Sequence, residues 1–209
     1  MEITAIERNK KNKDRMSVYI DGQYTFSISE EEFLRLHLYD KKDITAEEVD
    51  YIQNDLNFRN AKSTAIRFLS LKYRSEMETG VKLENEGFDN ETIEKVLAEL
   101  KSMGYINDKI YAQKYIFDRS KLKPKAKKML RYELEAKGIS QEILDEVLEN
   151  WELDEASIAA GLIKKKFGKY DLDDEKILYK AKAFLHHRGF CFSIIEEAIR
   201  SMKEEDYRL

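Results

Sequence analysis

The sequence predicts a mainly α fold: three tandem three-helix repeats of about 51 residues, preceded by a small β-hairpin/helix module. Three observations predict it. Gly87, Gly138 and Gly189 stand 51 residues apart, each inside the same short pattern. An apolar stripe with spacing i, i+3, i+4, i+7 follows each of them. The first 55 or so residues instead carry short β-branched and aromatic runs around an Asp-Gly pair.

Four residues before the glycines stand Leu83, Leu134 and Leu185, and directly after them Phe88, Ile139 and Phe190. This is the chemistry of a Schellman helix end. Glycine takes the left-handed conformation without a Cβ penalty, and the next apolar residue folds back onto the last turn, where the leucine sits. A further helix starts at once, with the inner face Ile93, Val96, Leu97 and Leu100 in the first copy. Its equivalents are Leu144, Val147, Leu148 and Trp151, then Ile195, Ala198, Ile199 and Met202. Asp89 and Ser140 suit the N-cap of this helix, and Cys191 holds the third equivalent position.

Earlier helices of each copy are predicted at 61–72 and 76–86, then 108–118, then 154–167 and 176–187. The only proline, Pro124, is expected in the first turn of the second copy's middle helix, where it needs no N–H. In the amino-terminal module, 3–7, 17–20 and 24–28 read as strands, with Asp21-Gly22 as a two-residue turn and 9–15 as a polar, basic loop. Ser29-Glu30-Glu31-Glu32 resembles a capping box opening a helix through Leu38, and 45–54 reads as another helix. The expected divisions are 1–57 for the module and 58–106, 107–153 and 154–209 for the repeats.

Composition narrows the function. Of 209 residues 37% are charged, with only 8 Gly and 1 Pro, which fits long solvated helices and short turns. One cysteine cannot form an intramolecular disulfide, so a reducing, cytoplasmic setting is expected. No apolar run approaches a membrane span, and the first ten residues lack a signal-peptide block. No phosphate-binding glycine loop occurs, since Gly161 and Gly168 have the wrong spacing from the lysines. His186 and His187 are adjacent, point apart and make poor joint metal ligands. Nothing near Cys191 would serve it as a general base. The expectation is a binding protein with no catalytic residues, metal, cofactor or small-molecule substrate.

Charge is segregated along the chain. Residues 119–131 hold seven basic side chains and no acid: Arg119, Lys121, Lys123, Lys125, Lys127, Lys128 and Arg131. The next 24 residues, 132–155, hold nine acids and one base. Lys164, Lys165 and Lys166 form a second basic cluster, and Arg67, Lys72 and Arg74 a weaker one. A single charge run is ordinarily a solvated helix face, but blocks that recur from copy to copy point to a basic face able to meet phosphates or acidic protein. Tyr111, Tyr115 and Phe117 lie beside the first run, where tyrosines belong more often to a core than to a stacking platform.

Four segments stand in a fixed order along the chain. They are Arg74-Ser75-x-x-Glu78 with Leu83-x-x-x-Gly87-Phe88, and Gly104-Tyr105-Ile106-Asn107-Asp108 before Tyr111-Ala112. The others are Glu133-Leu134-x-x-Lys137-Gly138-Ile139-Ser140 and Phe184-Leu185-x-x-Arg188-Gly189-Phe190 leading to Ile194-Ile195. Together they resemble one known family, the RecX regulators of RecA. The resemblance spans 61–202, and the amino-terminal module is similar to that of longer, Gram-positive-type members. Cys191-Phe192 departs from the pattern, where a polar cap is more usual. The resemblance implies a protein of DNA recombination, repair and the SOS response. Such a protein binds RecA, lodges in the groove of the RecA-DNA filament, and restrains its growth, ATP hydrolysis, strand exchange and co-protease activity. The competing expectations are a general binder of single- or double-stranded DNA without a RecA-specific role, and a scaffold that uses the same repeat.

Overall fold

The structure is a computed structural model that describes residues 1–151 and 154–206. The chain divides into two compact units, Met1–Asp108 and Lys109–Leu209.

The first unit opens with an antiparallel sheet of order β1 (Ile3–Arg8), β2 (Arg15–Ile20), β3 (Gln23–Ser29). Asp21 (φ 49°) and Gly22 (φ 82°) make the tight β2–β3 turn with both central residues left-handed, as the Asp-Gly pair predicts. The run at 3–7 adds a third strand to that hairpin. The strand period of two gives the sheet two different faces. Val18, Ile20, Phe26 and Ile28 point into an apolar core with Phe33, Leu38, Ile44, Ile52 and Leu56. Arg15, Ser17 and Ser27 are also buried, and Ser17 pairs with Ser27 across the ladder. Arg15 therefore belongs to a strand, not to the polar loop expected at 9–15.

Ser29 caps α1 (Glu30–Arg35) by accepting the Glu32 N–H. The expected helix through Leu38 stops early because His37 turns left-handed (φ 53°). That turn lets the Leu38 N–H reach the Phe33 carbonyl at 3.2 Å and drops Leu38 into the core. Thr45 and Glu48 form a capping box on α2 (Ala46–Asp50). A π-helical stretch, Tyr51–Asn57, carries the run without a break into α3 (Phe58–Leu71). The expected division at 57/58 thus falls inside one helical run, because Ile52 and Leu56 pack on the sheet while Ala61 and Ala65 pack on the first repeat.

α4 (Glu76–Asn85), with a Ser75–Glu78 capping box, and α5 (Asn90–Ser102), capped by Asp89, complete that repeat. Between them Gly87 (φ 83°) closes the predicted corner, the Phe88 N–H donating to the Leu83 carbonyl at 3.2 Å.

The second unit holds most of α6 (Asp108–Leu122), then α7 (Lys127–Glu135) and α8 (Gln141–Glu149) around Tyr111, Ile116, Leu130, Leu134, Ile139 and Leu144. It continues with α9 (Glu155–Phe167), α10 (Glu175–His186) and α11 (Phe192–Asp206) around Ile163, Leu185, Phe190 and Ile195. Pro124 does not open a helix. It lies in the link before α7, whose N-cap is Ala126. Ala126 has no side chain to cap with, so the caps come from elsewhere. Its own N–H donates to the Arg188 carbonyl at 3.0 Å, and the Lys127 N–H to Glu155 Oε1 at 2.7 Å. The third corner repeats the first two, and α11 starts at Phe192 despite the missing polar cap. The Cys191 carbonyl accepts the Ile195 N–H at 3.0 Å, and its exposed thiol lies 3.1 Å from Ser193 Oγ. The expected division at 153 lies outside the described residues.

Candidate partner-binding surface

The basic run 119–131 spans the end of α6, the link and α7, and the fold divides its seven cations into two groups. One group is held internally. Arg119 folds back so that Nε and Nη2 donate to Tyr115 Oη at 3.1 and 2.9 Å, and its guanidinium lies 3.4 Å from Glu133. Tyr115 Oη donates in turn to Glu133 Oε2 at 2.9 Å, and Lys125 pairs with the other carboxylate oxygen. Arg131 pairs with Asp145 at 2.7 Å and donates to Gln141 at 3.1 Å.

Glu133 is the hinge of this network. Burial pushes its carboxyl pKa up, but hydrogen bonds from Lys125 and Tyr115 and the charge of Arg119 outweigh burial and hold it below the usual range. Burial, followed by the neighbouring carboxylate, pushes the Tyr115 hydroxyl up despite the hydrogen bond from Arg119.

The other group faces solvent. Lys121, Lys123 and Lys128 are exposed and Lys127 is half-buried. Lys121 Nζ stands 3.9 Å over the ring of Phe117, which is 48% exposed. Of the three aromatic residues beside the run, Tyr111 is core and Tyr115 is tied into the ion-pair network.

Lys164, Lys165 and Lys166 occupy the exposed last turn of α9, where cations also complement the helix dipole. Lys166 Nζ lies 4.1 Å from the Phe184 ring centroid and the Arg188 guanidinium 3.9 Å from it, so this cluster is partly engaged in packing.

The weaker cluster belongs to the other unit. Lys72 is exposed beyond α3, whereas Arg74 stacks 4.2 Å over Phe68 with a buried Nε that no atom of the described residues bonds. Arg67 lines a polar cleft of about 440 Å³ together with Arg15, Arg35 and Asn60. Arg15 and Arg35 lie outside the basic clusters that stand out in the sequence. The signal for Arg15 was the alternation Arg15, Ser17 against Met16, Val18, which continues the strand back through the arginine.

Among the described residues no cluster of His, Cys, Asp or Glu could hold a metal ion, and no helix is long and apolar enough to cross a membrane. His186 and His187 stand with ring centroids 6.5 Å apart and planes at 69°.

The chain thus carries tandem three-helix repeats that follow a sheet-containing module in sequence. Family models assign the same parts: the regulatory protein RecX N-terminal domain matches residues 1–45, and the first, second and third RecX three-helix domains match 61–100, 107–148 and 154–199. The regulatory protein RecX of Clostridium acetobutylicum is 32% identical over 98% of this chain and 97% of its own length. That of Clostridium beijerinckii is 31% identical over 98% and 97%. A crystal structure of a regulatory protein RecX matches with a TM-score of 0.63 at 23% identity, over 94% of this chain and 98% of that one. RecX from Lactobacillus salivarius matches at 0.62 and 24% identity, over 70% and 97%. The chain belongs to the RecX family of regulatory proteins, a family of non-enzymes.

Proposed function

We propose that this protein is a modulator, mainly a negative one, of the RecA recombinase. It binds the RecA-DNA filament in the cytoplasm and restrains filament growth, ATP hydrolysis and strand exchange. Family membership supports the reading, and the observation that carries it to residues is the split of the basic run. Lys121, Lys123 and Lys128 remain exposed for an anionic partner surface, while Arg119, Lys125 and Arg131 brace the helices that present them. Lys127 stands beside the exposed three, and Lys164, Lys165 and Lys166 extend the surface, with Lys166 partly engaged on Phe184. Arg67, Lys72 and Arg74 make a secondary contact.

The direct test is RecA's DNA-dependent ATPase with and without this protein. Turnover should fall as the protein is added, and an unchanged rate would overturn the reading. The same exposed lysines beside an exposed aromatic ring favour a second reading, a general DNA-binding repeat protein. A salt titration separates the two. Binding to bare DNA driven by phosphate contacts falls steeply with salt, whereas a filament-specific binder keeps its preference for preformed filament at moderate salt.

A further inference from the structure

Phe117 is a large apolar ring left nearly half exposed on a helix whose other face buries Tyr111, Ala112 and Ile116. A single exposed ring is ordinary. This one is not isolated, because it lines a groove of about 460 Å³ together with Val147 and Trp151 beyond α8. Helical spacing explains the alignment. Lys109, Gln113, Phe117 and Lys121 follow one another at i+4 along α6, and Val147 and Trp151 do so opposite. The groove therefore has an aromatic and aliphatic floor with a rim of cations and amides.

The rim decides what the groove fits. Glu146 is the acid lining it, and Lys109 pairs with that carboxylate. Lys121 sets a cation directly over the Phe117 ring. Asn150 Nδ2 donates to the Glu146 carbonyl at 2.7 Å, leaving its side-chain oxygen as an acceptor beside the amide of Gln113. An aromatic floor that accepts any π-face, cations for a phosphate, and amides able to meet a base edge are the parts of a single-strand nucleic-acid platform. A duplex keeps its bases stacked and does not offer a π-face to such a floor.

We infer that this groove takes an unstacked base of single-stranded DNA against Phe117 and Trp151, with Lys121 on the adjoining phosphate. The inference deepens the functional reading by giving a single strand a defined contact at Phe117 and Trp151, and it rests on that reading for the source of the strand.

Trp151 is the only tryptophan in the chain, so its fluorescence reports on the groove alone. Titrating the full-length protein with a short oligothymidylate should quench that emission saturably, and an oligomer of abasic sites with the same phosphates should not. Phe117→Ala should weaken oligothymidylate binding about 5- to 100-fold, and Phe117→Tyr should restore most of it. Absence of binding, binding without quenching, equal quenching by the abasic strand, or unchanged affinity in Phe117→Ala would each overturn the inference. RecA ATPase inhibition by wild type and Phe117→Ala is measured in parallel. Inhibition without quenching leaves the RecA reading standing and removes only the groove, while quenching without inhibition does the reverse.

Discussion

Two segments of this chain are equally basic to the eye, residues 8–15 of the module and 119–131 of the second repeat, and the fold uses them differently. In the first, Arg8 pairs with Glu30 at 2.9 Å and Lys11 with Glu84 at 2.5 Å. Arg15 is buried, donates to Ser27 and Asn57, and lies 4.2 Å over Phe88. Arg15 over Phe88 joins the sheet to the Gly87 corner, where Ser27 Oγ also donates to the Gly87 carbonyl at 2.5 Å. In the second, Glu133 and Asp145 engage Arg119, Lys125 and Arg131, and Lys121, Lys123 and Lys128 remain outside. The lesson is that two acids answer each segment, so the difference lies in burial: Arg15 is taken into the interior of the first unit, whereas Lys121, Lys123 and Lys128 stay exposed.

Arg15→Ala should have the largest effect on stability. Burial without a salt-bridging carboxylate pulls the Arg15 pKa down to about 10, yet its hydrogen bonds hold the sheet's polar face together. Its loss leaves Asn57 Oδ1 without that donor and should cost about 3 kcal/mol, read as a lower urea midpoint. Arg15→Lys should recover only part of this, because an ammonium cannot reproduce the fork.

Next comes the corner itself. A Cβ on Gly189 (φ 86°) would stand 2.8 Å from Met129 Cβ, whereas at Gly104 (φ 76°) nothing lies within 4 Å. Gly189→Ala should therefore cost about 2 kcal/mol and Gly104→Ala about 1 kcal/mol, a difference visible in thermal melting.

Glu133→Gln should cost about 1 kcal/mol at neutral pH, a figure already reduced for solvent screening. Its carboxyl has a lower pKa folded than unfolded, so the contribution is present above the unfolded value, near 4.5, and disappears as pH falls through the folded one. The gap between wild type and variant should close over that acid range. Lys11→Ala, removing a half-exposed ion pair, should shift stability by no more than about 0.5 kcal/mol.

Local chemistry made the fold legible. The Leu–Gly–Phe/Ile corners, the Asp-Gly turn and the Asp89 and Ser140 caps each depend on residues within a few positions of one another, and each forms as read. What was not legible depends on distant partners. Pro124 reads as a helix start until Arg188 and Glu155 are seen to cap the helix at Ala126 and Lys127. The basic run holds no acid of its own, so the pairing of three of its cations with Glu133 and Asp145 is seen only in the fold. Trp151 packs against the core as its inner-face position reads, and its place in one groove with Phe117 is seen only when α6 and α8 pack.

One RecA ATPase titration reads out the assignment of Lys121, Lys123 and Lys128 to the partner surface. It compares wild type, a Lys121→Glu/Lys123→Glu/Lys128→Glu variant, and an Arg8→Glu/Lys11→Glu variant from the module, each with its melting curve. The first variant should melt like wild type but no longer inhibit at concentrations where wild type saturates. The second should inhibit normally, at some cost in stability, under the same assignment. Full inhibition by the first variant, or its loss in the second while that variant remains folded, would contradict it.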